Sequence, residues 1–535
     1  MWRRIFEKIN GVSSRLVSWV VHPFLFAFFP VLSLYSSNLK ETTPSMIFKP
    51  TVIILIGTVV FIFIANIIFR NWRKTAIFAS LVVSIIFFHG HIRDLAGSLS
   101  YQIAGLSLDT NLLLFIIWFF VIVFASFLLF RARHSLEKFT VFLNFVATFL
   151  VLQSLVNAVP YEIGRLRESL KFNPGTEISA MANIGSKPDI YYIILDRYAS
   201  NSTTKDFYEF DNGWFLNYLR EKGFYVAEDS LSNYPGTVPS LSSSLSMDYL
   251  DPVEFTSKGI TLLQNSRLGR FFKEQGYQYL HLSSWTGATK TDPLADKNFE
   301  FEGDSNYDFD SFSQELYQVS ALAPIAEKVS PNVDSSLSGT ESGHRDRVLY
   351  VLNELQKIPG EYPGPKFVFA HVLLPHDPYV FGPNCEEERP SGDTVDKYLS
   401  HVSCANKLMI SVVNKILRGS IKPPVIVIQA DEGPYNIKYP TLPGKNYREA
   451  DPRSLMERAR ILNSYYLPGV TTDRILYPAI TPVNSFRLIL NTYFGTGLDL
   501  LPDRSYIFQE KSPFHDWKKP IIDFIDVTDL IINHN

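Results

Sequence analysis

Five stretches without a single Lys, Arg, Asp or Glu occupy most of the first 161 residues, at 16–39, 50–69, 75–92, 111–130 and 139–161. Each is close to the ~20 residues a helix needs to cross a bilayer. One such run could be a buried core helix, but five in succession leave little polar surface from which to build a soluble domain. A cleaved signal peptide does not explain the first run, which is too long for an h-region and is followed by four more. The chain is therefore expected to begin with five transmembrane helices, residues 1–161.

Basic residues next to the runs set the expected orientation. Arg3, Arg4, Lys8 and Arg15 precede the first run, Arg70, Arg73 and Lys74 follow the second, and Arg131, Arg133 and Lys138 follow the fourth. The alternate loops hold only Lys40, Lys49 and Arg93. The amino terminus is thus expected in the cytoplasm, and an odd number of spans puts everything after Tyr161 outside the cytoplasmic (inner) membrane. Arg165, Arg167 and Lys171 run mildly against this rule, in a juxtamembrane linker (162–186) that can lie along lipid headgroups. The main polar features in or at the edges of the runs are His22, His89, His91, Asn66 and Asn144. A proton or ion pathway calls for charged residues mid-span, so the helices read as anchor and scaffold, with the lipid bilayer as a partner.

At 535 residues the chain is too long for one core. A net charge of -3 gives no support for nucleic-acid binding. The two cysteines, Cys385 and Cys404, both fall in the part assigned outside, where an oxidising compartment favours a disulfide over two buried thiols.

From residue 187 onward, short apolar runs alternate with amphipathic stretches. Strands are expected at 190–195, 277–282, 366–370 and 425–430. Helices are expected at 206–222, 237–247, 261–275, 345–358 and 395–417, and 330–344 reads as a surface loop. This alternation predicts an extracytoplasmic α/β domain, 187–535, with a mainly parallel sheet covered on both faces. Active-site residues of such sheets gather beyond the carboxyl ends of the strands. Asp196, His371 and Asp431 each follow a predicted strand.

Thr237 precedes Val238-Pro239 and opens a predicted helix. Its bland role is an N-cap; its chemical role is a hydroxyl at the positive end of a helix dipole, where an alkoxide and an incoming anion are both stabilised. Asp431-Glu432 ends an all-apolar strand, and adjacent carboxylates repel unless a cation sits between them. A solvated strand end is the alternative. Asp196, Thr237, Asp431 and Glu432 form an oxygen-only set suited to a divalent ion, Mn²⁺ or Mg²⁺ (or Ca²⁺) over Zn²⁺. Such an ion would lower the hydroxyl pKa and offset charge on a transferring phosphoryl group. His376, and secondarily His371, could contact a substrate oxygen or protonate a leaving group.

The order of strand–Asp196, Asn233-Tyr-x-x-Thr237-x-x-Ser-Leu-x-Ser, His371-x-x-x-Pro-His376-x-Pro-Tyr and strand–Asp431-x-Gly433 resembles the alkaline phosphatase/sulfatase superfamily. Five spans before an outside domain look like its lipoteichoic acid synthase and phosphoglycerol transferase branch. The resemblance implies that Thr237 is the covalent nucleophile. It also implies that Asp196, Thr237 and the 431–432 pair hold metal, and that His376 binds the phosphate group. Two departures stand out. The sulfatase Cys/Ser-x-Pro-x-Arg signature appears as Thr237-Val-Pro-Ser-Leu241, which disfavours sulfate ester hydrolysis, and the family's Asp-His-Gly appears as Asp431-Glu432-Gly433. The leading expectation is a membrane-anchored, metal-dependent phosphoryl-type transferase or hydrolase acting on a lipid or cell-envelope polymer substrate. The rival is a non-catalytic sulfatase-fold protein that binds envelope glycans or partner proteins, an option Glu432 keeps open.

Overall fold

A computed structural model describes residues 19–39, 42, 44–97, 100–103, 106–170, 178, 187–252, 255, 259–285, 287–301, 311–329, 342–387, 392–435, 437–439, 451–510 and 522–533. The chain divides into two compact units, 1–163 with 307–339, and 164–306 with 340–535.

The first unit contains α1 (His22–Ser37), α2 (Phe48–Phe69), α3 (Trp72–Ala96), a hairpin of β1 (Ser100–Ile103) and β2 (Leu106–Asp109), α4 (Thr110–Arg131) and α5 (Glu137–Leu170). Among the described residues, four helices, α2 to α5, are long and apolar enough to cross a membrane. The first span expected, over 16–39, corresponds to α1, whose 16 described helical residues measure about 24 Å. Asp109 caps α4, its carboxylate accepting from Leu112 N–H at 2.7 Å. Outward faces of these helices are large and apolar: Phe63 and Ile67 on α2, Phe120 and Phe124 on α4, Phe145 and Val156 on α5. Such faces match lipid rather than water. Several polar groups point inward and find partners there. His22 Nδ1 meets Ser80 Oγ at 2.6 Å, Asn144 Oδ1 accepts from His22 N–H at 3.0 Å, and His89 lies between Asn111 (3.1 Å) and the Trp118 indole N–H (3.3 Å).

Two further short helices of this unit, Ser311–Gln318 and Leu322–Val329, come from the middle of the chain. The sequence had placed them in the outer domain. Their buried Phe312 and Leu316 cluster instead with Val31, Leu32, Tyr35, Val151 and Ala158.

The second unit is built on a seven-stranded sheet. Its strands are β3 (Ile190–Leu195), β4 (Tyr225–Val226), β5 (Gln278–Ser283), β6 (Lys297–Phe299), β7 (Lys366–Val372), β8 (Val425–Gln429) and β9 (Asn463–Tyr466), in the order β4-β9-β8-β3-β7-β5-β6. The pairs β8/β3, β3/β7, β7/β5 and β5/β6 are parallel, and the pairs β4/β9 and β9/β8 are antiparallel. β3 is buried throughout, as its unbroken Ile-Tyr-Tyr-Ile-Ile-Leu run requires of a central parallel strand. Its odd-numbered side chains Tyr191, Ile193 and Leu195 enter one core, shared with α7 (Ser342–Glu361) and α8 (Thr394–Gly419). The even-numbered Ile190, Tyr192 and Ile194 enter the other, shared with α6 (Thr237–Ser246) and α10 (Pro482–Phe494). Helix α9 (Pro452–Ala459) contributes to the first core.

Several boundaries differ from the sequence reading. The helix expected over 206–222 is two, Asn201–Tyr208 and Gly213–Glu221, separated by Glu209 in the left-handed region (φ 58°). That over 261–275 is also two, because the Ser266 hydroxyl caps a new start by accepting from Gly269 N–H at 3.1 Å. α5 runs past residue 161 into the expected linker. α7 begins at Ser342, inside the expected surface loop, whose residues 330–341 lie outside those described. β7 extends to Val372, so His371 lies within the strand rather than after it. Cys385 and Cys404 form a disulfide with Cα atoms 4.9 Å apart, tying the loop after β7 to α8. His401 Nε2 holds the same loop by accepting from the Val380 and Phe381 N–H groups at 2.7 and 3.0 Å.

Candidate active site

Because β8, β3 and β7 are parallel neighbours, their carboxyl ends deliver Asp431, Asp196 and His371 to one place. Asp196 N–H donates to Val372 O at 3.0 Å, which extends the β3–β7 pairing by one residue and fixes the carboxylate beside His371. One ligand-type atom from each of Asp196, His371 and Asp431 lies within 4.8 Å of the others, and all three side chains are buried. His371 Nε2 is 3.1 Å from Asp196 Oδ2, and its Nδ1 is 2.7 Å from the Thr289 hydroxyl, which orients the ring. The Trp285 indole packs edge-on against it at 5.9 Å.

Asp431 Oδ1 accepts from Glu432 N–H at 2.8 Å and Arg197 N–H at 3.2 Å. Its Oδ2, and Asp196 Oδ1, are buried without a hydrogen-bond partner. Orphaned carboxylate oxygens of this kind are rare in folded proteins and call for an unseen partner. The two carboxyls also diverge electrostatically. Burial pushes Asp196 up, but the charge of His376 and the hydrogen bond from His371 outweigh it and hold Asp196 below the usual carboxylate range. Burial, then the neighbouring Asp196 charge, push Asp431 well above that range. Two carboxylates in one buried site resist ionising together, and a cation between them removes the conflict. The donors present, two carboxylates and an imidazole with the Thr237 hydroxyl close by, fit a divalent ion.

Thr237 is the first residue of α6, but the capping position is Gly236, whose φ of 88° suits glycine. The hydroxyl is therefore not consumed as an N-cap. It lies close enough to Asp431 to stabilise that carboxylate. Ser240 Oγ donates to Asp431 O at 2.6 Å and fastens α6 to the strand end. Asn233, which opens the motif, is anchored at both ends of its amide, to Arg504 O (2.8 Å) and Val483 N–H (2.8 Å).

Glu432 departs from the expected ligand set. Among the described residues its carboxylate is not part of the converging cluster. It accepts from Gly236 N–H at 2.6 Å and pairs with Arg458 at 3.0 Å and Arg197 at 3.6 Å. Two guanidinium groups therefore face its charge. Both guanidiniums lie over the Tyr435 ring, at 4.3 Å for Arg458 and 5.9 Å for Arg197. Gly433 permits this close approach, because a Cβ there would sit 2.4 Å from Glu457 O. His376 lies in the loop after β7, partly exposed, with Nδ1 3.4 Å from Asp377 Oδ1. Asp377 in turn pairs with Arg197 at 3.1 Å.

Sequence reasoning missed Arg197, Arg458, Tyr435 and Thr289. Arg197 adjoins Asp196 and occupies the left-handed region (φ 60°), a conformation that a sequence does not advertise. Arg458 reaches Glu432 only through the tertiary fold.

Comparison with solved structures returns the C-terminal periplasmic domain of EcEptC from Escherichia coli, at 12% identity over 67% of this chain and 97% of that one, with a TM-score of 0.41. It also returns the integral membrane protein lipooligosaccharide phosphoethanolamine transferase A (EptA) from Neisseria meningitidis, at 12% identity over 88% and 95%, with a TM-score of 0.42. No curated protein sequence matches the chain. The sulfatase family model matches residues 188–457, from the entry to β3 into α9, and so takes in every element that forms the cluster. With half of its length matched, and with the site at the carboxyl ends of that domain's central strands, the chain belongs to the sulfatase family.

Proposed function

We propose that this chain is a membrane-anchored phosphoryl-type transferase or hydrolase acting on a lipid or cell-envelope substrate, with Thr237 as nucleophile. The observation that carries this reading is the approach of a helix-start threonine to buried carboxylates with unpartnered oxygens at adjacent parallel strand ends. Asp196, Asp431 and His371 would hold a divalent ion together with Thr237. Bound there, the ion supplies Lewis-acid stabilisation of charge on the phosphoryl oxygens and of the threonine alkoxide. Oxygen donors alone favour Mn²⁺ or Mg²⁺ over Zn²⁺; an imidazole in the set widens the choice to include Zn²⁺.

The positive end of α6 lies at Thr237 Oγ and at an incoming phosphate alike. Thr237 Oγ bonds to phosphorus as its proton leaves to solvent, and the ester P–O bond breaks. His376 gives its proton to the departing oxygen. In the second half, an acceptor hydroxyl or water bonds to phosphorus and loses its proton to His376, while Thr237 leaves and regains its own proton. Arg197 and Arg458, held by Glu432 and Tyr435, keep positive charge beside the nucleophile. A threonine in place of cysteine or serine, and the missing signature arginine, favour phosphoryl over sulfuryl esters. The outer domain is assigned to the extracytoplasmic side of the inner membrane, with a cytoplasmic amino terminus.

One observation favours the alternative, a non-catalytic relative: Glu432 is neutralised by arginines where the family pattern has histidine. A single experiment separates the two. Full-length protein incubated with a phosphodiester lipid and Mn²⁺ is digested and analysed by mass spectrometry. Phosphate on Thr237, lost in Thr237→Ala together with roughly 10⁴-fold or more in turnover, supports the enzyme. Absence of both phosphate and bound metal in folded protein supports the binding protein.

A further inference from the structure

The helices Ser311–Gln318 and Leu322–Val329 raise a question separate from the active site: why a chain segment that leaves the sulfatase-family domain and returns to it belongs to the membrane unit. The backbone of the turn between them bonds directly to α3. Gly90 N–H donates to Val319 O at 2.9 Å, and Ala321 N–H donates to Ile86 O at 2.7 Å. Ile86 and Gly90 are four apart, the donor and acceptor that would otherwise close one turn of the helix. The fit depends on glycine, since a Cβ on Gly90 would lie 2.4 Å from Val319 O.

The level of this contact is informative. Residues 75–92 of α3 carry no charge, and Arg93 and Asp94 mark the polar end. Gly90 and Ile86 lie three and seven residues before Arg93, about 5 and 10 Å along the axis. Val319–Ala321 therefore sits below the polar boundary, at the depth of the apolar stretch. Irregular backbone survives at such depth only when its polar groups are satisfied within the protein. They are: Val319 N–H donates to Glu315 O (3.1 Å), Ser320 N–H to Tyr317 O (3.0 Å), and Leu322 N–H to Ser320 Oγ (3.1 Å). Phe312 and Leu316 are buried among residues of α1 and α5.

The second helix is two-faced. Leu322, Ile325 and Val329 follow one stripe and are 46%, 44% and 78% exposed. Glu327 and Lys328 project elsewhere, and Lys328 reaches Asp109, the cap of α4, at 3.4 Å. An apolar stripe that starts below the polar boundary and ends in an ion pair at the end of a spanning helix has the pattern of an interfacial helix.

We propose that residues 311–329 are a re-entrant element of the membrane unit, and that Leu322, Ile325 and Val329 bind bilayer lipid, seated among acyl chains just beneath the headgroups. The family-matched domain is then joined to the membrane through its own interior as well as through α5. This does not depend on the proposed chemistry.

The two cysteines are paired, so an introduced thiol is the one that labels. A nitroxide is placed at Leu322→Cys, Ile325→Cys or Val329→Cys, and at exposed Lys357→Cys as an aqueous control, in full-length protein reconstituted into phosphatidylcholine/phosphatidylglycerol vesicles. Collisions with oxygen should exceed those with a water-soluble nickel chelate several-fold at the three positions, and the ratio should invert at 357. Nickel-dominated collisions at all three, equal to those at 357, overturn the proposal. Gly90→Ala, with a Cβ against Val319 O, should shift the three labels toward nickel while spans and control stay unchanged. Unmoved labels in an inserted Gly90→Ala protein would overturn the docking on α3. If that variant does not insert, the labels in the native background still decide.

Discussion

The membrane unit and the candidate active site differ in the charge of the polar groups they bury and in how those groups are partnered. Among the helices, His22, Asn144 and His89 each find a partner on another helix or a nearby chain segment, and no charged side chain interrupts the apolar runs. At the strand ends, two carboxylates are brought together in the core and one oxygen of each is left without a hydrogen bond. A polar group that is fully paired holds structure. A pair of like-charged groups buried with unpaired oxygens sits at a free-energy cost that a bound cation offsets. The Glu432 pairing falls on the structural side of this division although it adjoins Asp431 in sequence.

That contrast can be broken most decisively at Glu432. Glu432→Ala leaves Arg197 and Arg458 facing each other beside Gly236, and removal of one partner from a buried ion pair costs about 3 kcal/mol. Thermal denaturation should show a loss of that order, while Mn²⁺ affinity measured by calorimetry falls far less. A large loss of affinity at unchanged stability would return Glu432 to the metal site.

Acid should loosen the loop that carries His376. Burial holds the His401 imidazole down, from 6.5 to about 4, and its neutral ring accepts two backbone N–H groups. A base whose pKa is lowered on folding contributes stability that is complete above pH 6.5 and is lost as pH falls toward 4. The loss should approach roughly 3 kcal/mol, and His401→Gln, which keeps an acceptor, should flatten the pH dependence of the melting temperature in that window. An unchanged slope would assign the acid sensitivity elsewhere.

Asp431→Asn sharpens the comparison from the other side. In metal-free protein it removes like-charge repulsion with Asp196, so the melting temperature should rise by about 2–4 °C, equivalent to ~1 kcal/mol. The same variant should lose the stabilisation that Mn²⁺ confers on the native chain. Destabilisation without metal would show that the carboxylate is structural. The smallest effect is expected in the membrane, where Ser80→Ala removes the partner of His22 at about 0.6 kcal/mol, read by unfolding in detergent.

Much of this architecture was legible because apolar runs are local signals. The spans of α2 to α5 and the central strands β3, β7 and β8 stand out by composition alone. Asp196, Thr237, His371 and Asp431 were legible as candidates for the same reason, each marking the end of a strand or the start of a helix. What sequence could not supply was direction. The orientation of Glu432 toward Arg458 is decided by how α9 crosses the end of β8, and no pattern near either residue encodes it. The segment 311–329 was opaque because its helices are short and its partners lie more than 150 residues away, on α1, α3 and α5. The breaks at Glu209 and Ser266 were hidden because helical periodicity continues across them.

The strand order carries a consequence for assembly. β3 emerges from the ribosome before every other strand of its sheet, yet both of its neighbours come much later, β7 beginning at residue 366 and β8 at 425. An all-buried strand has to wait, its two edges unpaired, until most of the chain has been made. Distant pairings of this kind slow folding and leave exposed edges prone to misassociation. Asp196 therefore acquires His371 and then Asp431 only as the last third of the protein arrives, and a chain truncated before β8 would lack the carboxylate that completes the cluster.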